Sequence, residues 1–157
     1  MMVRAACARD LPRLVAIAPD GHAPLVERAF VAAAAGRNRI LVAELKGELV
    51  GQVWLDIGRR RDERVAIIWA LRVTPAHQAQ RVGAALLIAA ERLAVRLGFV
   101  RVEVGVSGGI PSLCAMYERR GYHPAGSRVD CERWRSPTGE SQSALFDQSL
   151  WEKELVP

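Results

Sequence analysis

The sequence predicts a single mixed α/β domain, a sheet with helices between its later strands, and three observations carry that prediction. Val65–Val73 is a nearly continuous apolar run, the pattern of a strand covered on both faces. Val82, Leu86, Ala90, Leu93 and Leu97 recur at three- and four-residue spacing, with Glu91, Arg92 and Arg96 off that stripe, which marks a helix over Gly83–Leu97. Val100–Val106 then alternates as a strand, so the helix connects two strands of one sheet. At 157 residues the chain has the length of one domain, here spanning 1–157. A chain of this size buries roughly two thirds of its unfolded surface, enough for a core without disulfides.

The remaining elements follow in order. Met2–Ala6 reads as a short strand, and Arg9-Asp10-Leu11-Pro12 opens a helix with an aspartate cap and a proline in its first turn. A helical pair, broken around Pro19–Pro24, runs through the alanine-rich stretch to Gly36. Ile40–Leu45 and Leu49–Ile57 flank Lys46-Gly47-Glu48, as two strands flank a hairpin turn. The central helix ends at Arg96-Leu97-Gly98-Phe99, with a basic last turn and a glycine stop. Pro111 and Ser112 open another helix, which closes the same way at Arg119-Arg120-Gly121-Tyr122. Ser127–Gln148 is polar and predicts a long loop or irregular hairpin, and Ser149–Val156 predicts a closing strand.

Composition excludes several classes. Half of the residues are apolar and a quarter charged, which is ordinary globular usage and not that of a disordered or coiled-coil chain. The longest apolar runs fall far short of the ~20 residues of a membrane span, and no signal peptide is evident. The expectation is a soluble, cytoplasmic protein without a membrane partner. Twenty-two basic against 17 acidic residues give +5 and a pI near 9.7. That charge suits nucleic acid or a phosphorylated cofactor. The basic residues are scattered, no basic helix clusters them, and Arg59-Arg60-Arg61 is followed at once by Asp62 and Glu63, so the run reads as a solvated hairpin and nucleic acid is not expected. Cys7, Cys114 and Cys131 form no CxxC pair, and His22, His77 and His123 share no ligand spacing, so no metal is expected. Trp54 and Trp69 read as core, and Trp134 between Arg133 and Arg135 either lines a substrate cleft or covers a strand edge, the second being favoured.

The junction between the Val65–Val73 strand and the following helix is the informative stretch. A helix N-terminus carries unpartnered N–H groups and partial positive charge, and small residues there let an anion approach the backbone. The stretch is neither a GxxxxGK[ST] loop nor a GxGxxG turn, since only Gly83 is present. Its text, Val73-x-Pro75-x-x-Gln78-x-x-Arg81-x-Gly83-x-x-Leu86-Leu87, resembles the acetyl-CoA loop of the GNAT superfamily of N-acetyltransferases. Met116-Tyr117-Glu118-Arg119-Arg120-Gly121-Tyr122 resembles the second motif of that family, at the family's spacing. The chain departs from the pattern at Arg81, which replaces the loop's first glycine, and at Ile110, where many members carry asparagine. A guanidinium at Arg81 beside phosphates would add charge-assisted hydrogen bonds.

The resemblance implies a GNAT-like sheet with splayed central strands, acetyl-CoA as co-substrate, and direct transfer of acetyl to a primary amine. A small-molecule amine is slightly preferred over a protein N-terminus or lysine. It further implies cofactor binding by Leu71, Arg72, Val73, Gln78, Ala79, Gln80, Arg81, Val82, Gly83, Ala84 and Tyr117. Leu71 and Val73 would pair with pantetheine, Gln78–Ala84 would hold the pyrophosphate, and the Val73 N–H would meet the charge developing on the thioester oxygen. Tyr117 would be the general acid for the departing thiolate. No carboxylate lies within the central strand, and Glu63, Glu103 and His77 remain open as bases without an assignment. The rival reading is a CoA-binding sensor without turnover. Homodimers are common in the family, which leaves room for one here.

Overall fold

In a computed structural model of the chain, residues 1–18, 22–136 and 138–156 are described; the side chains of Ala79, Gln80, Glu132, Trp134 and Phe146 lie outside that description, and so does the expectation placed on Trp134. The elements are β1 (Met2–Ala5), α1 (Leu11–Ile17), α2 (Ala23–Ala34), β2 (Asn38–Leu45), β3 (Glu48–Asp56), β4 (Val65–Val73), α3 (Val82–Arg96), β5 (Arg101–Ser107), α4 (Pro111–Arg119), β6 (His123–Arg135) and β7 (Ser141–Glu154). Short 3-10 turns at Ala8–Asp10, Arg61–Glu63 and Pro75–Gln80 join them. The seven strands form one mixed sheet in the order β1-β2-β3-β4-β5-β7-β6, and only β4 and β5 run parallel.

Two apolar layers cover the sheet. On one face Val82, Leu86, Leu87, Ala90 and Ala94 of α3 pack with Val53, Leu55, Ala66, Ile68, Val102 and Val104 of the sheet. Leu93 is only partly buried and Leu97 is exposed, so the stripe read from the sequence turns toward Ala94 at the helix end. On the other face Leu14 of α1 and Val26 and Ala29 of α2 pack on Ile40, Val42 and Trp54. The close seat of α3 depends on Gly51 of β3. A Cβ there would lie 2.9 Å from Leu86 Cδ1 and 3.0 Å from the Arg72 carbonyl oxygen.

Of the two readings of Ser127–Gln148, the irregular hairpin is the one found: β6 and β7 pair from His123↔Glu152 to Arg135↔Ser141, with one register shift near Gly126. β7 pairs with β5 only as far as Gln148↔Ser107. Beyond that point the ribbon has no third strand, and with no core beneath it nothing selects for apolar alternation. The expectation of a solvated Arg59–Arg61 run is corrected. Arg60 turns inward to Glu103 of β5 at 2.7 Å and Glu152 of β7 at 2.9 Å.

Candidate active site

β4 and β5 pair for only four positions, Val65↔Arg101 to Ile68↔Val104. Past Ile68 the strands part, and the C-terminal half of β4 has β3 on one side and a gap on the other. A bulge falls at the same place. Gln52 pairs with Arg72 and Trp54 with Trp69, so Val53 alone faces Ala70 and Leu71. Ala70 adopts φ 52°, a left-handed conformation costing an L-residue roughly 1–2 kcal/mol.

The extra residue inverts the faces of the strand. Before it, Ala66 and Ile68 point to the α3 layer, while Trp69 joins the α1/α2 layer. After it, Leu71 and Val73 pack with the α3 layer, and Arg72 lines the cavity on the opposite face. The backbone follows a matching logic. Thr74 N–H donates to the Val50 carbonyl at 2.9 Å. Hydrogen bonding alternates along an antiparallel pair, so the N–H of Val73 faces away from β3, into the gap.

The predicted loop residues sit at the mouth of that gap. Gln78 Nε2 donates to the Val73 carbonyl at 3.3 Å. Ala79 and Gln80 complete the 3-10 turn Pro75–Gln80. Arg81 is the N-cap of α3 with φ 59°, the conformation a glycine would take at less cost. Its side chain is exposed and makes no bond with the described residues. No side chain caps α3, and its first backbone bond runs from Ala85 N–H to the Arg81 carbonyl at 3.2 Å, so the N–H groups of Val82, Gly83 and Ala84 precede the hydrogen-bonded ladder. A Cβ on Gly83 would meet nothing nearer than Val73 Cγ2 at 3.7 Å. The chain itself therefore leaves that space open.

Tyr117 lies on α4, 7% exposed, within the α3-side layer. Burial pushes its phenol up to about 12. Its ring meets Tyr122 edge to face at 5.3 Å. Gly121, at φ 91°, makes the left-handed turn that returns Tyr122 N–H to the Tyr117 carbonyl at 3.1 Å. The Tyr122 hydroxyl donates to Glu91 Oε1 at 3.0 Å, and Lys153 Nζ reaches the same oxygen at 2.8 Å. Tyr122 thus ties α4 to α3 and β7.

On the opposite face a cavity of about 250 Å³ opens between α2, the parted strands and the β6–β7 ribbon. Trp54 and Trp69, read from the sequence as core, are also its wall, stacked edge to face at 4.7 Å. Trp54 Nε1 donates to Gln52 Oε1 at 2.8 Å. His22 lines the cavity as well, and burial followed by the Arg72 charge lowers it from the ordinary imidazole value. Sequence reasoning assigned neither Gln52 nor His22, since neither belongs to a motif. Arg28 Nη1 of α2 donates to the Arg133 carbonyl of β6 at 2.7 Å and straps the ribbon over the cavity.

None of the three open bases is brought to this cavity. Glu63 is exposed and held by Arg60 at 2.7 Å. His77 Nδ1 lies 2.9 Å from Thr74 Oγ1, within the loop. Glu103 is 1% exposed and bridged by Arg60 at 2.7 Å and Arg128 at 3.0 Å. Arg128 also reaches Asp130 at 2.9 Å, as does Arg59. Among the described residues no group of His, Cys, Asp and Glu could hold a metal ion, and no helix is long and apolar enough to cross a membrane.

The family model described as acetyltransferase (GNAT) family matches residues 8–122, and the chain belongs to that family, which transfers acyl groups from acetyl-CoA. Solved structures share the fold at low identity. A ribosomal-protein-alanine N-acetyltransferase from Brucella melitensis superimposes with TM-score 0.76 at 18% identity, covering 99% of this chain and 100% of that one. An IAA acetyltransferase from Bacillus cereus gives 0.70 at 21%, covering 98% and 99%. A GNAT superfamily phosphinothricin acetyltransferase from Sinorhizobium meliloti, in complex with AcCoA, gives 0.72 at 20%, covering 98% and 88%. No curated protein sequence matches the chain.

Glu103 is expected to be structural. Glu103→Gln should lower stability by about 1–3 kcal/mol in urea denaturation, the range for hydrogen bonds to charged groups. The acid limb of kcat/KM should stay where it is; a limb that disappears would make Glu103 the base.

Proposed function

We infer that the protein acetylates a small primary amine with acetyl-CoA, the amine entering from the α2 face and the cofactor from the α3 face of one gap. The observation that carries this reading is the unpaired backbone edge of β4 past Ile68, open to both faces. The residues around it suit acetyl-CoA. Leu71 and Val73 offer backbone groups for the pantetheine arm, and the N–H groups of Gln78–Ala84 together with the Arg81 guanidinium suit the phosphates. Gly83 leaves the necessary room. When bound, the cofactor supplies an activated acetyl thioester.

The chain's own residues divide the work. Val73 N–H is placed to receive the charge that develops on the carbonyl oxygen. The amine nitrogen's lone pair forms the C–N bond, the C–S bond breaks with its electron pair on sulfur, and the nitrogen sheds one proton to water. Tyr117 gives its proton to that sulfur and regains one from solvent. A phenol near 12 is a weak acid against an ordinary thiol near 8.5. The same desolvation raises a thiol in the gap, which narrows the difference. No side chain is assigned as base.

A small acceptor is favoured over a protein by the size of the cavity. About 250 Å³ lies below the roughly 300–1,000 Å³ of typical ligand sites, and the ribbon strapped by Arg28 limits access to it. The acceptors named for the structural neighbours are dissimilar, so the shared fold does not choose among them.

Two measurements test this reading. Gly83→Ala should raise helix stability by about 0.5–1 kcal/mol, because alanine is the better helix former and its Cβ meets only ordinary contact. It should also weaken acetyl-CoA by about 1–3 kcal/mol in calorimetric titration, the cost of a methyl placed in filled space. Unchanged affinity in this variant would remove the phosphate assignment. Tyr117→Phe should lower kcat at least roughly tenfold with little change in CoA affinity. Because the active phenol stays protonated up to about 12, wild-type kcat/KM should rise as the amine deprotonates and show no alkaline fall below pH 10. Wild-type turnover in Tyr117→Phe would leave protonation to water; acetyl-CoA binding without transfer to any amine would make the protein a sensor.

A further inference from the structure

Among the described residues, Arg72 is a cation of the cavity wall without an ion-pair partner. Arg59 and Arg128 are paired with Asp130, and Arg128 also with Glu103. Asp56 Oδ1 accepts the backbone N–H groups of Gly58 and Arg59 at 2.9 and 3.0 Å. Arg72 makes no hydrogen bond and no ion pair with any described residue, although the inverted strand turns it into the cavity. Its backbone pairs with β3 and its side chain leaves on the α2 face, so it stands apart from Leu71 and Val73 in what it can touch.

Its cross-strand neighbour sharpens the point. Gln52 lies directly opposite Arg72, where side chains on one face come within about 5 Å at Cβ. Gln52 is 2% exposed, and its Oε1 is occupied by Trp54 Nε1. Only the Nε2 amide remains, without an acceptor among the described residues. Two neighbouring side chains thus offer donors alone at the same spot, one of them charged. A carboxylate accepts from both and neutralises the charge; an ammonium offers no acceptor, and a neutral amide accepts without neutralising.

We propose that the acceptor is a free α-amino acid with an apolar side chain, its carboxylate held by Arg72 and Gln52. The placement fixes the order of groups. Arg72 sits between Leu71 and Val73 at the open edge, so a carboxylate on it lies on the cavity side of the reacting nitrogen, as the carboxylate of an α-amino acid would. The side chain then runs along Trp54 and Trp69, toward Asp56 about 13 Å down the strand. A protein N-terminus carries an amide in place of that carboxylate and leaves the Arg72 charge unmatched at the cavity wall. This assignment rests on the acetyltransferase reading above and names the acceptor for that same site.

The test compares L-leucine, L-phenylalanine and L-tryptophan with their amides and with the corresponding decarboxylated amines. Thiol release measures turnover, and calorimetry measures binding to protein saturated with CoA. The acids should exceed both counterparts by at least about tenfold in kcat/KM and in affinity, the scale of a charge-assisted pair. The amides deprotonate more easily, so amine ionisation cannot produce that preference. Arg72→Met should erase it at unchanged thermal midpoint, since Arg72 bonds to no described residue, and Arg72→Lys should restore part of it. Equal use of acid and amide, or acetylation of another amine with none of the acids bound, overturns the acceptor assignment and leaves the acetyltransferase reading standing. Failure to bind acetyl-CoA at all overturns both.

Discussion

The site depends on one residue of backbone. Where Val53 faces both Ala70 and Leu71, β4 gains a residue, and its sides exchange faces. Leu71 and Val73 then pack beneath α3, and Arg72 turns to the cavity under α2. The parting of β4 from β5 past Ile68 leaves that stretch without a neighbour, so its N–H groups and its side chains become available together. Holding Ala70 in a left-handed conformation costs roughly 1–2 kcal/mol, which the Trp54–Trp69 pair and the α3 layer on either side must offset. Strain kept at such a position is what a binding edge requires of a sheet that would otherwise zip closed.

The surrounding charges hold this gap at a fixed width. Arg60, from the turn between β3 and β4, reaches β5 and β7 at once, and Arg128 and Arg59 tie β6 to β5 and to the same turn. Glu103, buried at the centre, is ion-paired with two guanidiniums that each have further carboxylate partners. A network of this kind supports a framework, and it holds Glu103 away from the cavity. On the other face the Tyr122–Glu91–Lys153 contacts fix α4, and with it Tyr117.

Much of this was legible in the sequence, and the rest was hidden for physical reasons. The glycine stop of α3, the first turns of its stripe, the apolar β4 and the positions of the two motifs are local signals that lie where they were read. The outer β6–β7 ribbon was legible only as a loop or an irregular hairpin, because it covers a polar cavity and not an apolar core, and alternation has little to record. Ala70 and Arg81 escaped because left-handed backbone is read from glycine or asparagine, and neither residue is either. The face that Arg72 takes could not be read without the bulge. Plain alternation from Trp69 would put Leu71 and Val73 on the cavity face and Arg72 opposite, the reverse of what is found. The Arg59–Arg61 run looked solvated since its partners, Glu103, Asp130 and Glu152, are distant in sequence.

The proposed transfer needs the open edge of β4 as the seat of the thioester. Amide hydrogen exchange resolved at Leu71 and Val73, with and without saturating acetyl-CoA, tests this most directly. In the free protein these two amides should exchange quickly beside slow Arg72, whose backbone is paired with Gln52. Acetyl-CoA should slow both. Saturating binding that leaves the Val73 amide as fast as before would contradict the account.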